Sequence, residues 1–116
     1  KGPVEGERPA AYVAVLHDTS LSDNYYCDDG IAMQSILLGA VEEGYGGCMI
    51  GSVNKSRVSR ILDTPDHLKL LWMIALGKPV EECVLEEAES GNIRYYRDDK
   101  KIHHVPKRPL SEIIYR

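Results

Sequence analysis

Apolar and polar positions fall in blocks along the chain, and the blocks predict interleaved strands and helices. From Ala10 the run AAYVAVLH is nearly continuous in apolar residues and rich in β-branched and aromatic types. That predicts a strand buried on both faces. Turn formers dominate residues 18–24 (DTSLSDN), which read as a loop. Residues 27–44 carry the clearest helical signal. Asp28 or Asp29 can cap the first turn, where a carboxylate meets orphan N–H groups. The following IAMQSILLGAVEE is apolar almost all round through Ile31, Met33, Ile36, Leu37, Leu38 and Val41. A helix without a polar face is expected to be buried along most of its circumference. Ala32, Ser35 and Gly39 form a stripe of small residues along it, and Gly44 stands where a left-handed cap ends many helices.

Next comes a short apolar strand between glycine pairs, GGCMIGS, at residues 46–52. Asn54 is placed to cap a second helix, with Val58, Ile61 and Leu62 on one face and Lys55, Arg57 and Arg60 mostly on the other. The run LLWMIAL at 70–76 is apolar throughout and closed by Gly77-Lys78-Pro79, which predicts a central strand. Beyond Pro79 the character changes. VEECVLEEAESG is acidic and weakly patterned, so it reads as a solvated segment with room for a helical turn. Residues 93–97 and 102–105 flank Asp98-Asp99-Lys100-Lys101 as a hairpin would. Pro106-Lys107-Arg108-Pro109 is a rigid basic corner, and LSEIIYR suits a last helical turn or two. Residues 1–9 (KGPVEGERP) form a leading linker. The connections are too irregular for a Rossmann unit, and the fold class expected is α+β.

Composition narrows the function classes. The chain has 116 residues, enough for one domain or part of one, with a 43% hydrophobic and 28% charged content that argues against disorder. A net charge of −4 lacks the basic stripe of a nucleic-acid binder. No apolar run approaches the roughly 20 residues of a membrane span. Three cysteines without CxxC spacing (Cys27, Cys48, Cys83) fit reduced thiols in a cytoplasmic protein better than a disulfide scaffold. The chain opens Lys-Gly-Pro without an apolar leader, and the expectation is a piece of a longer product.

Candidate chemistry concentrates in two places. Gly44, Gly46, Gly47 and Gly51-Ser52 bring little side-chain bulk to the strand, so a ligand could touch backbone N–H groups there. The spacing matches neither a P-loop nor GxGxxG, and a tight turn beside a buried strand is the plainer reading. The second place is Lys107-Arg108, where two cations pinned between prolines could hold a phosphate. Helix residues Lys55, Arg57 and Arg60 read as a solvent face. His103 and His104 point to opposite sides of any strand they occupy, and no third ligand stands at metal spacing, so zinc is not expected. Asp18 could orient the His17 imidazole, and like charge from Asp28 and Asp29 disfavours a Cys27 thiolate. Each Tyr pair, 25–26 and 95–96, is expected to pack one ring and expose the other. No Ser/His/Asp constellation is legible.

Three segments together resemble the FMN-dependent nitroreductase family. DDGIAMQSILLGAVEEGYGGCMIGSV is similar to the family's buried helix, glycine-bearing turn and flavin-meeting strand. ILDTPDHLKLLWMIALGKPVEE is similar to the next helix, a core strand and a GxP turn, and HVPKRPLSEII to a C-terminal basic segment. The resemblance covers most of the chain, through the order and spacing of motifs rather than any one of them. It implies a sheet flanked by helices in a three-layer α/β/α sandwich. The chain would then be a single domain or the C-terminal part of one, with residues 80–116 as an extension.

The resemblance further implies a homodimer with FMN at the subunit interface. Gly51 and Ser52 would lie beside flavin N5 and O4, Met49 and Ile50 would line the ring, and Lys107 and Arg108 would reach the phosphate. NAD(P)H would be the co-substrate, and a nitro-aromatic, quinone or related small molecule the electron acceptor. The flavin carries such chemistry, so no catalytic acid or nucleophile is expected of the protein. The family's Arg-rich helix start (Arg-x-Ser-x-Arg) has no counterpart here. A fragment or a shortened member is therefore expected, binding FMN weakly or not at all by itself. The rival reading is a flavin-free dimerising module on the same scaffold, suggested by that gap and by the apolar helix with its small-residue stripe.

Overall fold

A computed structural model describes residues 5–115. It divides into two compact units, Lys1–Lys78 and Pro79–Arg116. Residues 1–4 of the expected leading linker lie outside the described residues; 5–8 are turn and bend, and 9 is irregular.

The first unit is built on β1 (Ala11–Asp18), α1 (Asp28–Glu42), β2 (Gly46–Ile50), α2 (Lys55–Leu62) and β3 (Leu68–Gly77). The strands form an antiparallel sheet in the order β1-β3-β2, so the LLWMIAL run is central, as its hydrophobicity predicts. Ala11 pairs with Leu76 and Val15 with Trp72, but Leu16 pairs with Leu70, leaving Leu71 as an extra residue in β3. That is a β-bulge. The core is Met33 of α1 with Leu70, Ile74 and Ala75 of β3, and Ile74 is wholly inaccessible.

Two glycine-related details follow from packing. Gly44 has φ +77 and its N–H donates to the Val41 carbonyl, the left-handed helix stop that the sequence predicts. At Gly47 a Cβ would fall 2.5 Å from Leu37 Cδ2 and 2.8 Å from the Ala75 carbonyl oxygen. Only glycine lets α1 come so close to β2. Asn54 caps α2 as expected, accepting the Arg57 N–H at 3.0 Å.

The helix starts differ from expectation at α1. Cys27 occupies the cap position without a side-chain bond, and Asp28 and Asp29 sit one step inside, in the first turn. Burial differs more. Met33 is buried and Ile36, Leu37 and Ala40 are half-buried, an i, i+3, i+4, i+7 face. Ile31, Leu38 and Val41 are 60%, 61% and 64% exposed. Ala32, Ser35 and Gly39 are also exposed. Burial along most of the circumference is therefore corrected to burial of one face among the described residues. β1 is likewise half-buried to exposed along its length, not enclosed on both faces, because it is an edge strand of this sheet.

The second unit contains β4 (Cys83–Glu87), a 3-10 turn at Glu89–Gly91, β5 (Tyr96–Arg97), β6 (His103–Lys107) and α3 (Leu110–Ile113). Its sheet runs β4-β6-β5, with β4 parallel and β5 antiparallel to β6. The hairpin over residues 98–101 is present. Asp98 Oδ1 accepts the N–H groups of Lys100 and Ile102, each at 2.9 Å, which fixes the turn. β4 is the element that the sequence misses. Its five residues include two glutamates, and it is a strand because β6, twenty residues later, pairs with it.

Candidate functional site

Met49 and Ile50 end β2, pairing with Ile74 and Met73. β2 is an edge strand, so its outer side offers unpaired main-chain groups. Gly51 and Ser52 follow as exposed non-strand residues. The Gly51 carbonyl accepts the Val53 N–H at 2.9 Å, a tight turn. Among the described residues neither the Ser52 N–H nor its hydroxyl has a partner.

The reason for glycine at 51 is visible within the chain. A Cβ there would collide with Cζ3 of Trp72. Trp72 is held in turn by its indole N–H, which donates to Asp29 Oδ2 at 2.9 Å. The close approach read from the sequence is thus made on one side by the indole. The peptide remains exposed and free of side-chain bulk, with the Ser52 donors beside it. These features fit a flat, hydrogen-bond-accepting ring edge against the end of β2.

Lys107 and Arg108 belong to the second unit. Lys107 is the last residue of β6, paired with Glu87, and its carbonyl accepts the Ala88 N–H. Pro106 is buried, and Pro109 is the N-cap residue of α3, so the corner is anchored on both sides. Both cations are exposed, and among the described residues neither makes an ion pair. Exposed, unpaired cations at a rigid corner suit a phosphate.

The other candidates resolve individually. His17 Nε2 lies 2.8 Å from the Ser22 carbonyl oxygen and its ring packs on Tyr25. Asp18 does not hold that imidazole. It accepts the Ser20 hydroxyl at 2.6 Å and the Ser20 N–H at 2.9 Å, which together hold its carboxyl below the ordinary value. All three cysteines are free. Tyr25 is more sheltered than Tyr26, as expected, but Tyr95 and Tyr96 are both exposed, Tyr95 meeting the His103 ring edge-on and Tyr96 stacking on His104.

His103 and His104 do face opposite sides of β6. His104 stacks on Tyr96, with Nδ1 3.0 Å from Glu86 Oε2 and Nε2 3.5 Å from Asp98 Oδ2, outside hydrogen-bond geometry. The Glu86 bond, then Asp98, raise its pKa against the opposing effect of burial. His103 meets Glu81, with Nδ1 3.3 Å from Oε1. Two more side chains with metal-ligating atoms stand beside His103, although the sequence offers none at metal spacing. Donor atoms of Glu81, Cys83 and His103 all lie within 4.8 Å of one another. No local spacing announces this cluster, because Cys83 and His103 meet only through the parallel β4–β6 pairing. Arg97 bonds Glu81 as well, and that hydrogen bond is the main cause holding the Glu81 carboxyl below its ordinary value.

The first unit also holds an apolar cleft of about 410 Å³ between α1 and the sheet end, lined by Ile36, Gly39, Ala40, Tyr45, Leu76 and Gly77 among others. Residues 49–52 do not line it. No helix of the described residues is long and apolar enough to cross a membrane.

Comparison with known proteins agrees with the part of the chain that carries the first unit. The nitroreductase family model matches residues 9–78. An FMN reductase (NADPH) of Bacillus subtilis (strain 168) is 31% identical over 67 residues, 56% of this chain but 27% of the relative. A nitroreductase family protein from Clostridium novyi NT superposes with a TM-score of 0.51 at 32% identity, covering 59% of this chain and 42% of that one. An FMN-dependent nitroreductase from Clostridium difficile R20291 gives 0.56 at 24% identity, covering 69% and 50%, a likeness of fold. The chain therefore spans about a quarter to a half of the length of these relatives. Matched over more than half its length by the family model, and sharing its fold with solved members, this chain belongs to the nitroreductase family.

Proposed function

We propose that the chain is part of an FMN-dependent NAD(P)H oxidoreductase that passes electrons to a small acceptor such as a nitro-aromatic or quinone. The observation that carries this reading is the end of β2. There an exposed glycine peptide adjoins the unpartnered Ser52 N–H and hydroxyl. Met49 and Ile50 would line the ring, while Gly51 and Ser52 would present main-chain donors to its polar edge. Preorganised amides of this kind stabilise developing negative charge without a titratable group. Lys107 and Arg108 would bind the phosphate, Arg108 through its fork and Lys107 as a point charge. When bound, FMN supplies the hydride and electron transfer. The relatives named as flavin enzymes support the same reading, as does the family.

The protein would act as a cytoplasmic homodimer. The exposed apolar side of α1 (Ile31, Leu38, Val41) supports association, and it equally favours the alternative, a flavin-free dimerising module. Reconstitution separates them. The protein, purified with FMN or with riboflavin, is assayed for bound flavin and NAD(P)H oxidation. Replacing Lys107 and Arg108 together by Ala should weaken FMN binding about tenfold or more and leave riboflavin nearly unaffected. Equal losses for both ligands would remove the phosphate assignment. A stable dimer that takes up neither flavin would favour the module.

A further inference from the structure

The geometry points to a divalent transition-metal site, with zinc the best match, formed by Glu81, Cys83 and His103 in the second unit. It is independent of the flavin reading. Cys83 and His103 are direct partners in the parallel β4–β6 pairing, so their side chains leave the same face of the sheet. The His103 N–H donates to the Glu82 carbonyl at 2.8 Å, which draws the preceding strap, and Glu81 with it, onto that face. Tetrahedral zinc with bonds of about 2.0–2.3 Å sets neighbouring donors about 3.3–3.8 Å apart. The Glu81–His103 separation of 3.3 Å already meets this, and all three donors fall within 4.8 Å. Thiolate, imidazole and carboxylate together select zinc or cobalt over magnesium or calcium.

Three protein ligands leave a fourth position for water. Glu81 and Cys83 are exposed, so a metal can enter directly. Arg97 now holds Glu81, but its side chain is 61% exposed, and such surface pairs are weak competitors. Binding would release the Cys83 thiol proton and turn Arg97 out to solvent. Pro106 alone is buried among this unit's described residues, so a metal clamp would add order where apolar burial is slight.

The test uses the full chain without a histidine tag, reduced, stripped with a chelator and titrated with Co²⁺, then with Zn²⁺ as competitor. One equivalent of cobalt should give a sulfur-to-metal charge-transfer band and tetrahedral visible bands, both lost on adding zinc. Cys83→Ser should abolish the charge-transfer band, and Cys83→Ser and His103→Gln should each weaken binding by more than the roughly 10–100-fold that loss of a ligand's outer partner causes. Arg97→Ala should tighten it by freeing Glu81. Far-ultraviolet circular dichroism checks that each variant is folded. In the unaltered protein, zinc should slow amide exchange in β4 and β6 and leave β1 and β3 unchanged, a readout that needs no variant. Absence of saturable binding, a charge-transfer band that survives Cys83→Ser, weaker binding in Arg97→Ala, or exchange slowed equally throughout would each overturn the assignment.

Discussion

The two units of this chain are held by different physics. The first surrounds a ten-residue strand with apolar side chains and buries Met33, Leu70, Ile74 and Ala75. The second has strands of two to five residues, and besides two tyrosine–histidine ring contacts its named contacts are polar: Glu81 with Arg97 and His103, Glu86 with His104, and Asp98 with its own turn. Hydrophobic burial is non-directional and grows with area, so it tolerates drift at the edges. A polar network depends on each donor and acceptor being in place, and its exposed pairs are screened by salt. The first unit is thus where the family resemblance is concentrated and where the fold is carried. The second is where chemistry can be altered with little cost to a core.

Cavity formation gives the sharpest contrast. Ile74→Ala removes the one large side chain that is wholly buried among the described residues and should destabilise the first unit by about 2–5 kcal/mol. Leu85→Ala in β4, a position 73% exposed, should cost about 0.5 kcal/mol or less. Denaturant melts with amide exchange resolved by strand measure both. Similar losses at the two positions would erase the distinction. A smaller effect is expected at the close approach of Gly51. Gly51→Ala drives a methyl group into the Trp72 ring and should cost about 1–3 kcal/mol. Trp72 is the chain's single tryptophan, so its emission reports the displacement directly. Unchanged emission and stability would mean that the indole is loosely held. The same variant should load less flavin if the β2 end is the ring site.

The smallest effect concerns acid. Asp18 has its pKa lowered chiefly by the Ser20 hydroxyl, so its contribution is complete above the ordinary aspartate value of 3.8. That contribution is lost as pH falls from there through the lowered folded value. Acid titration of the first unit should therefore flatten slightly in that window in Asp18→Asn. An unchanged titration would show that the Ser20 contacts carry nothing.

Legibility in the sequence follows the same division. β1, α1, β2, α2 and β3 announce themselves by apolar runs, the Asn54 cap and the Gly44 stop, because each signal is local. What the sequence does not carry is what covers an apolar face. Ile31, Leu38 and Val41 read as buried and lie open among the described residues, since hydropathy records preference and not a neighbour. Gly51 was legible as a place of close approach, but the partner on its Cβ side is Trp72, twenty-one positions on. β4 and the Glu81–Cys83–His103 cluster were illegible for one cause. Both depend on a parallel pairing across an intervening hairpin, and no local pattern encodes it.

The unpaired Leu71 carries one more implication. On a regular ladder, facing residues keep their parity from end to end, but the extra residue resets it midway along β3. Counting every second position as inward from Gly77 back to Leu68 therefore assigns the near end of the strand to the wrong side. A homologue shortened by a single codon at that point would regain an unbroken ladder, with Leu16 still opposite Leu70, and counting by twos would then hold along the whole strand.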